Sequence, residues 1–254
     1  MNSVTAEIDT AMVLAAGLGK RMRPLTDTMP KPMVTLAGRP LIDHALDRLA
    51  TAGIARAIVN VHYKADVLEA HLAERREQDL PPEITVSDER GVLLETGGGI
   101  VKALPLLGDK PFFICNSDTT WAETAETDNF GMLMSAWDGS RMDSLLLLAE
   151  KDRSIGYAGD GDFELAGDGR LTRRPEGTST PYVFAGVSIA KPEMFVGAPE
   201  EPFSLNVLWD KAIAAGRLYG VVLDGWWMHV GTPEALADAD LFIAGLATRE
   251  GERG

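Results

Sequence analysis

Short apolar runs alternate with helix-period stripes through the first half of the chain. Residues 10–15 are apolar and long enough for one buried strand. They pass directly into Gly17-Leu18-Gly19-Lys20-Arg21-Met22-Arg23-Pro24. Over residues 41–52, Leu41, Ile42, Ala45, Leu46 and Leu49 fall on one face of a helix, and Gly53 stops it. Residues 57–61 predict a second strand, and residues 65–76 an amphipathic helix carrying Val67, Leu68 and Leu72. Pro81-Pro82 breaks the chain before a third strand at 84–87, and residues 97–104 open another helix. A fourth strand, 111–115, ends at Asn116-Ser117-Asp118.

This alternation implies right-handed βαβ units around a mostly parallel sheet flanked by helices, a Rossmann-like α/β fold. Ligands of such sheets sit beyond the carboxyl ends of the strands, where the Gly17 to Arg23 and Asn116 to Asp118 segments both lie. The second half reads differently. Strands are predicted at 143–149, 182–190 and 218–223, with helices at 205–215 and 233–244. Thr232 suits the N-cap and Pro233 the first turn of the last helix. Gly159, Gly161, Gly167 and Gly169, interleaved with aspartates around residues 163–165, predict an antiparallel hairpin. The sheet of the first half is expected to continue here.

The formal net charge is −14, which argues against nucleic acid as a partner, because phosphate polymers are held by clustered positive charge. Against that background Lys20, Arg21, Arg23 and Lys31 fall within twelve residues. Such a cluster suits a small anionic ligand, with a solvated basic loop as the competing reading. The single cysteine, Cys115, excludes an internal disulfide and reads as inert packing. Residues 1–9 lack the basic and apolar regions of a secretory signal. No apolar run reaches the ~20 residues of a membrane helix. A cytoplasmic chain with no membrane partner is therefore expected; its oligomeric state is not legible.

Glycines 17 and 19 let backbone N–H groups approach an anion. No Lys-Ser or Lys-Thr completes a Walker loop, and Met22 stands where a dinucleotide fingerprint has its third glycine. The longer pattern is more specific. Leu14-Ala15-Ala16-Gly17-Leu18-Gly19-Lys20-Arg21-Met22-Arg23-Pro24, followed by Pro30-Lys31-Pro32-Met33, closely resembles the signature of sugar-phosphate nucleotidyltransferases. Within that family the chain is most similar to bacterial N-acetylmuramate 1-phosphate uridylyltransferases, and it also resembles mannose-1-phosphate guanylyltransferases. Leu94 to Gly99, Asn116 to Asp118, Phe184-Ala185-Gly186 and Val230-Gly231-Thr232-Pro233-Glu234 extend the resemblance over nearly the whole chain.

The resemblance implies a fold of the nucleotide-diphospho-sugar transferase type, in one domain spanning residues 1–254. Residues 10–120 would be its nucleotide-binding part, 121–246 its sugar-binding part and 247–254 a frayed tail. It implies that nucleoside triphosphate and sugar 1-phosphate condense to an NDP-sugar and pyrophosphate. UTP with N-acetylmuramate 1-phosphate is favoured, in cell-wall recycling; GTP with mannose 1-phosphate comes next. Backbone groups of Ala15, Ala16, Gly17, Leu18, Gly19 and Lys20 would wrap the triphosphate. Arg21 would neutralise the leaving pyrophosphate, and Lys31 would reach the α-phosphate and the sugar phosphate. Two flanking prolines fix the backbone at Lys31; a plain surface lysine is the alternative.

Glu95, Thr96, Gly97 and Gly98 are expected near the base and ribose, since three successive glycines disfavour a helix interior and would let a flat base lie on the backbone. An ordinary loop leading into a helix is the alternative. Asn116, Gly161, Gly186 and Asn206 are sugar-binding candidates by position alone, with turn or packing roles equally open. Trp209, Trp226 and Trp227 would wall a sugar or fill the core. Asp118, a carboxylate at a strand end, is the expected Mg2+ ligand. The family's second acidic ligand is replaced by His229. Imidazole suits Mn2+, Co2+ or Zn2+ better than Mg2+. Three readings stay open: a softer metal, a hydrogen bond from His229 to phosphate or water, or loss of the second metal site. His44, His62 and His71 read as structural. A catalytically weakened nucleotide-sugar sensor and a glycosyltransferase are the competing function classes. The second has no use for Arg21 and Lys31 together.

Overall fold

The structure, a computed structural model, describes residues 8–123, 128–199 and 201–251. Its strands are β1 (Thr10–Leu14), β2 (Thr35–Leu36), β3 (Arg39–Pro40), β4 (Arg56–Val61), β5 (Glu83–Asp88), β6 (Phe112–Asn116) and β7 (Thr119–Ala122), then β8 (Ser144–Glu150), β9 (Ser154–Ile155), β10 (Phe163–Leu165), β11 (Leu171–Arg173), β12 (Tyr182–Ala190), β13 (Leu218–Val222) and β14 (Trp226–His229). Its α-helices are α1 (Leu41–Thr51), α2 (Ala65–Glu77), α3 (Glu95–Leu107), α4 (Asn129–Ala136), α5 (Asn206–Ala214) and α6 (Pro233–Gly251).

Nine strands form the central sheet. β5, β4, β1 and β6 are parallel, as the βαβ reading requires. β12 then runs antiparallel to β6 and β8, and β13 is parallel to β8. The predicted hairpin is β10–β11, joined to the start of β12. Alternation along β1 sends Ala11 and Val13 to one core face and Met12 to the other. The first face is covered by α1 and α2, through Ile42, Leu46, Leu49, Leu68 and Leu72. The second is covered by α3 and α5, through Ile100, Ala103, Leu208 and Trp209.

Register decides what meets at the carboxyl edge. Leu14 pairs with Asn116, and Val13 pairs with Val59. Ala15, Asn60 and Asn116 therefore emerge side by side. A second sheet of three strands, β7-β14-β9, was not anticipated. It pairs His229 with Thr119, so His229 faces the residue that follows Asp118. The last helix starts as expected, with Thr232 Oγ1 accepting the Ala235 N–H at 3.2 Å. It runs to Gly251, past the predicted end at 244, so the tail expected at 247–254 has helical backbone to Gly251 and then lies outside the described residues. Among the described residues no helix is long and apolar enough to cross a membrane.

Candidate active site

The loop after β1 opens onto a cleft of 390 Å³ lined by Leu14, Ala15, Ala16, Gly17 and Gly19, with Lys31, Pro32, Asn60, Glu95, Thr96, Ser117 and Asp118 around them. Its shape has local causes. Gly19 holds φ +60°, and a Cβ there would lie 3.0 Å from both Lys31 Cβ and Thr26 Cγ2. Thr26 Oγ1 donates to Gly19 O at 2.9 Å. Glycine is the residue that fits this turn. The Ala15 N–H is taken by Asn60 Oδ1 at 2.6 Å. The N–H groups of Ala16, Gly17, Leu18 and Gly19 meet no protein acceptor among the described residues. Successive unpaired amides form an anion cradle. Leu18 and Lys20 lie outside the cleft wall, and Lys20 is exposed.

The glycine run in α3 has a packing reason of its own. Gly97 and Gly98 donate their N–H groups to Phe203 O, at 2.9 and 3.3 Å. That satisfies donors the first helical turn leaves open. Both glycines are buried, and a Cβ at Gly97 would sit 2.6 and 2.7 Å from Phe203 Cδ2 and Cζ. Gly97 packs against the Phe203 ring. Glu95 and Thr96 line the cleft. Glu95 holds φ +59°, a conformation uncommon outside glycine that accumulates at functional sites. Thr96 Oγ1 accepts the Leu205 N–H at 2.8 Å.

A buried strut joins the glycine loop to this helix. Asn60 Nδ2 donates to Glu89 Oε1 at 2.7 Å, and Glu89 Oε2 accepts the Leu94 N–H at 3.2 Å. Glu89 is 1% exposed. Asn60 and Glu89 were not singled out in the sequence. Asn60, at the carboxyl end of β4, was accessible to the strand-end rule; Glu89 carries no such signal.

Lys31 and Asp118 form an ion pair at the centre of the site, their side chains 15% and 31% exposed. Lys31 leads a single 3-10 turn between Pro30 and Pro32. Asp118 and Asn116 also line a second cavity of 270 Å³, with Arg21, Thr119, Tyr157, Asp162, Phe184, Gly186, Trp227 and His229. The two cavities share these two residues. Arg21 stands on the second one, exposed and with no carboxylate partner among the described residues. Gly186 holds φ +89° where β12 bulges between Phe184 and Ser188, and a Cβ there would come 2.7 Å from Thr119 Oγ1. The other sugar candidates lie elsewhere. Asn206 is exposed and accepts from Arg173 NH2 at 2.8 Å. Gly161 is buried at a turn with φ +80° beneath Thr180, while its neighbour Asp162 faces the cavity.

His229 is half-buried, edge-on to Tyr157 at 5.8 Å and tilted on Trp227 at 5.3 Å. Burial lowers its pKa. The Asp118 carboxylate opposes this, while Lys31 and Arg21 reinforce it. The ring is therefore neutral at neutral pH, with a lone pair to offer. Among the described residues no three His, Cys, Asp or Glu side chains form a metal-holding group. Asp118 and His229 supply one oxygen and one nitrogen donor. Mg2+ is usually held by one or two carboxylates together with phosphate oxygens, and imidazole suits softer divalent ions.

The remaining expectations sort simply. His44, His62 and His71 bond Leu36 O, Glu89 O and Asp43. Cys115 is buried, which pushes its thiol pKa up. Trp209 is core, Trp226 is exposed, and Trp227 is buried but on the second cavity.

Residues 10–154 match the family model described as nucleotidyl transferase. The chain is 49% identical over 234 residues to N-acetylmuramate alpha-1-phosphate uridylyltransferase of Caulobacter vibrioides, covering 92% of this chain and 96% of that protein. Its identity to the Neisseria meningitidis serogroup B protein of the same name is 36%, covering 90% and 96%. A mannose-1-phosphate guanyltransferase of Aspergillus oryzae is 30% identical, covering 94% of this chain and 65% of that one. Among solved structures, HddC from Yersinia pseudotuberculosis complexed with GMP-PN superposes with a TM-score of 0.74 at 23% identity, over 93% and 100% of the chains. UDP-glucose pyrophosphorylase complexed with UDP-glucose gives 0.75 at 18% identity, over 94% and 99%. These two share the fold. The chain belongs to the nucleotidyl transferase family, and its curated relatives are sugar-1-phosphate nucleotidyltransferases.

Proposed function

We propose that the chain condenses UTP with N-acetylmuramate 1-phosphate, giving the UDP-sugar and pyrophosphate. The observation that carries the reading is the Lys31–Asp118 pair, standing where the two cavities meet. The nucleotide occupies the first cavity, its phosphates on the free amides of residues 16–19. The sugar occupies the second. The 49% identity to the Caulobacter relative, against 30% to the mannose relative, supports this base and this sugar.

An oxygen of the sugar phosphate attacks the α-phosphorus in line. A new P–O bond forms, the bond to the bridging oxygen of the β-phosphate breaks, and pyrophosphate leaves with that electron pair. The nucleophile, with a second pKa near 6, is largely dianionic at neutral pH. It therefore needs no protein base. The barrier is the meeting of two anions, so positioning and charge neutralisation carry the catalysis. Lys31 places its ammonium between the two phosphates, and Arg21 adds a second cation on the exposed side. Asn116 reaches the sugar phosphate from the shared wall. Asp118 and His229 would hold a divalent ion, which supplies further charge neutralisation on the phosphates when bound.

A matrix of four nucleoside triphosphates against several sugar 1-phosphates, read by pyrophosphate release, tests the reading. UTP with N-acetylmuramate 1-phosphate should give the highest kcat/KM. A maximum at GTP with mannose 1-phosphate would replace the substrate assignment. Tight nucleotide binding without turnover would mark a sensor.

A further inference from the structure

We infer that Asp162 is a specificity-determining residue, accepting a hydrogen bond from a ring hydroxyl of the sugar. This rests on the sugar 1-phosphate reading above and adds a residue to it. Asp162 lines the second cavity, at the turn that begins β10. Its carboxylate is held from one side: Oδ2 accepts the Phe184 N–H at 2.9 Å. Its backbone is held as well, with its N–H given to Tyr182 O at 2.7 Å and its carbonyl taking the Arg174 N–H at 3.0 Å. The other oxygen, Oδ1, has no hydrogen bond or ion pair among the described residues and is open to solvent. The cavity thus holds a carboxylate fixed in place, with one oxygen free and no ion-pair partner among the described residues.

The surrounding wall narrows what that oxygen receives. Tyr157 and Trp227 line the same cavity with ring centroids 5.7 Å apart. The Tyr157 hydroxyl accepts the Gly161 N–H at 3.1 Å. An aromatic floor takes the apolar C–H face of a hexose, while a pinned carboxylate oxygen takes a hydroxyl at its edge. The second carboxylate, Asp118, belongs to the phosphate end through Lys31. Asp162 is therefore the carboxylate of this cavity left for the sugar ring. It also repels a carboxylate, so an acidic substituent on the sugar, such as a lactyl group, must point away from it.

The test compares wild type with Asp162→Asn, whose amide oxygen keeps an acceptor for the Phe184 N–H and so keeps the turn. A hydrogen bond to a charged group is worth roughly 10- to 100-fold in binding. The expected result is a rise of about 10-fold or more in the KM for the sugar 1-phosphate, with the KM for UTP unchanged. Singly deoxygenated sugar 1-phosphates then identify the hydroxyl. Wild type should lose about 10-fold on one of them, and Asp162→Asn should lose nothing further on that one. A purely structural Asp162 would lower the melting temperature and raise both KM values together. An unchanged sugar KM, or equal sensitivity of both proteins to every deoxy sugar, overturns the inference. Absence of turnover by wild type on any sugar 1-phosphate overturns the reading beneath it instead.

Discussion

Replacing Gly97 with alanine separates two physical effects of opposite sign. By helix propensity alone, alanine inside α3 should stabilise the protein by about 1 kcal/mol. The packing says the reverse. The new methyl would stand 2.6 and 2.7 Å from Phe203 Cδ2 and Cζ, against the ~3.5–4.0 Å that carbon atoms prefer. Phe203 is only 6% exposed, within the core cluster of α3 and α5. Its carbonyl also takes the Gly97 and Gly98 N–H groups, so the ring cannot retreat without disturbing the start of the helix. Overpacking of this kind costs about 1–3 kcal/mol. The expected net change runs from near zero to a loss of about 2 kcal/mol, or up to roughly 8 °C in Tm for a chain of this size. Urea and thermal melts of both proteins measure it. Gly17→Ala is the control: a Cβ there meets nothing within 4 Å, so stability should hold while the KM for UTP rises, because the methyl enters the anion cradle. A Gly97→Ala protein more stable than wild type would refute the packing account.

Lys31→Ala should lower kcat by about 10²-fold or more, as for a lost electrostatic stabiliser; near-normal turnover would remove Lys31 from the mechanism. His229→Asp should shift metal preference toward Mg2+, because a carboxylate replaces imidazole. Unchanged half-saturation by Mg2+ and Mn2+ would place His229 away from the ion. Asp143 bonds Lys191 Nζ at 2.8 Å and Arg217 Nε at 2.7 Å. Burial raises its pKa, but the two cations outweigh that and hold it below the ordinary 3.8. The pair therefore stabilises the fold above pH 3.8, and that stability is lost as pH falls through the lower folded value. Asp143→Asn should be less stable than wild type at pH 7, with the gap in urea melts closing below about pH 4.

The convergence of the glycine loop, Lys31 and Asp118 was legible because strand–helix alternation implies a parallel sheet, and such sheets bind ligands at one edge. The loop after β1 and the end of β6 had to meet there once Leu14 paired with Asn116. The packing of Gly97 in α3 was not legible because its partner, the ring of Phe203, lies over 100 residues away. No local pattern carries that. β7 and β14 are four residues each, too short for alternation to show, so the pairing that sets His229 against Thr119 was invisible. α4 carries Gly131 in its interior, which weakens its helical signal. Asn206 and Gly161 were chosen by position in related sequences. The first is turned to Arg173, and beside the second it is Asp162 that reaches the cavity.

The central claim is that two phosphates meet at the Lys31–Asp118 pair, nucleotide on one side and sugar on the other. A crystal structure with UDP-N-acetylmuramate and a divalent ion tests it most directly. The account expects the diphosphate at Lys31 and Asp118, uridine in the cleft of residues 14–19, Glu95 and Thr96, and the sugar against Tyr157 and Trp227. A product bound with its diphosphate away from Lys31, or with both halves in one cavity, would contradict it.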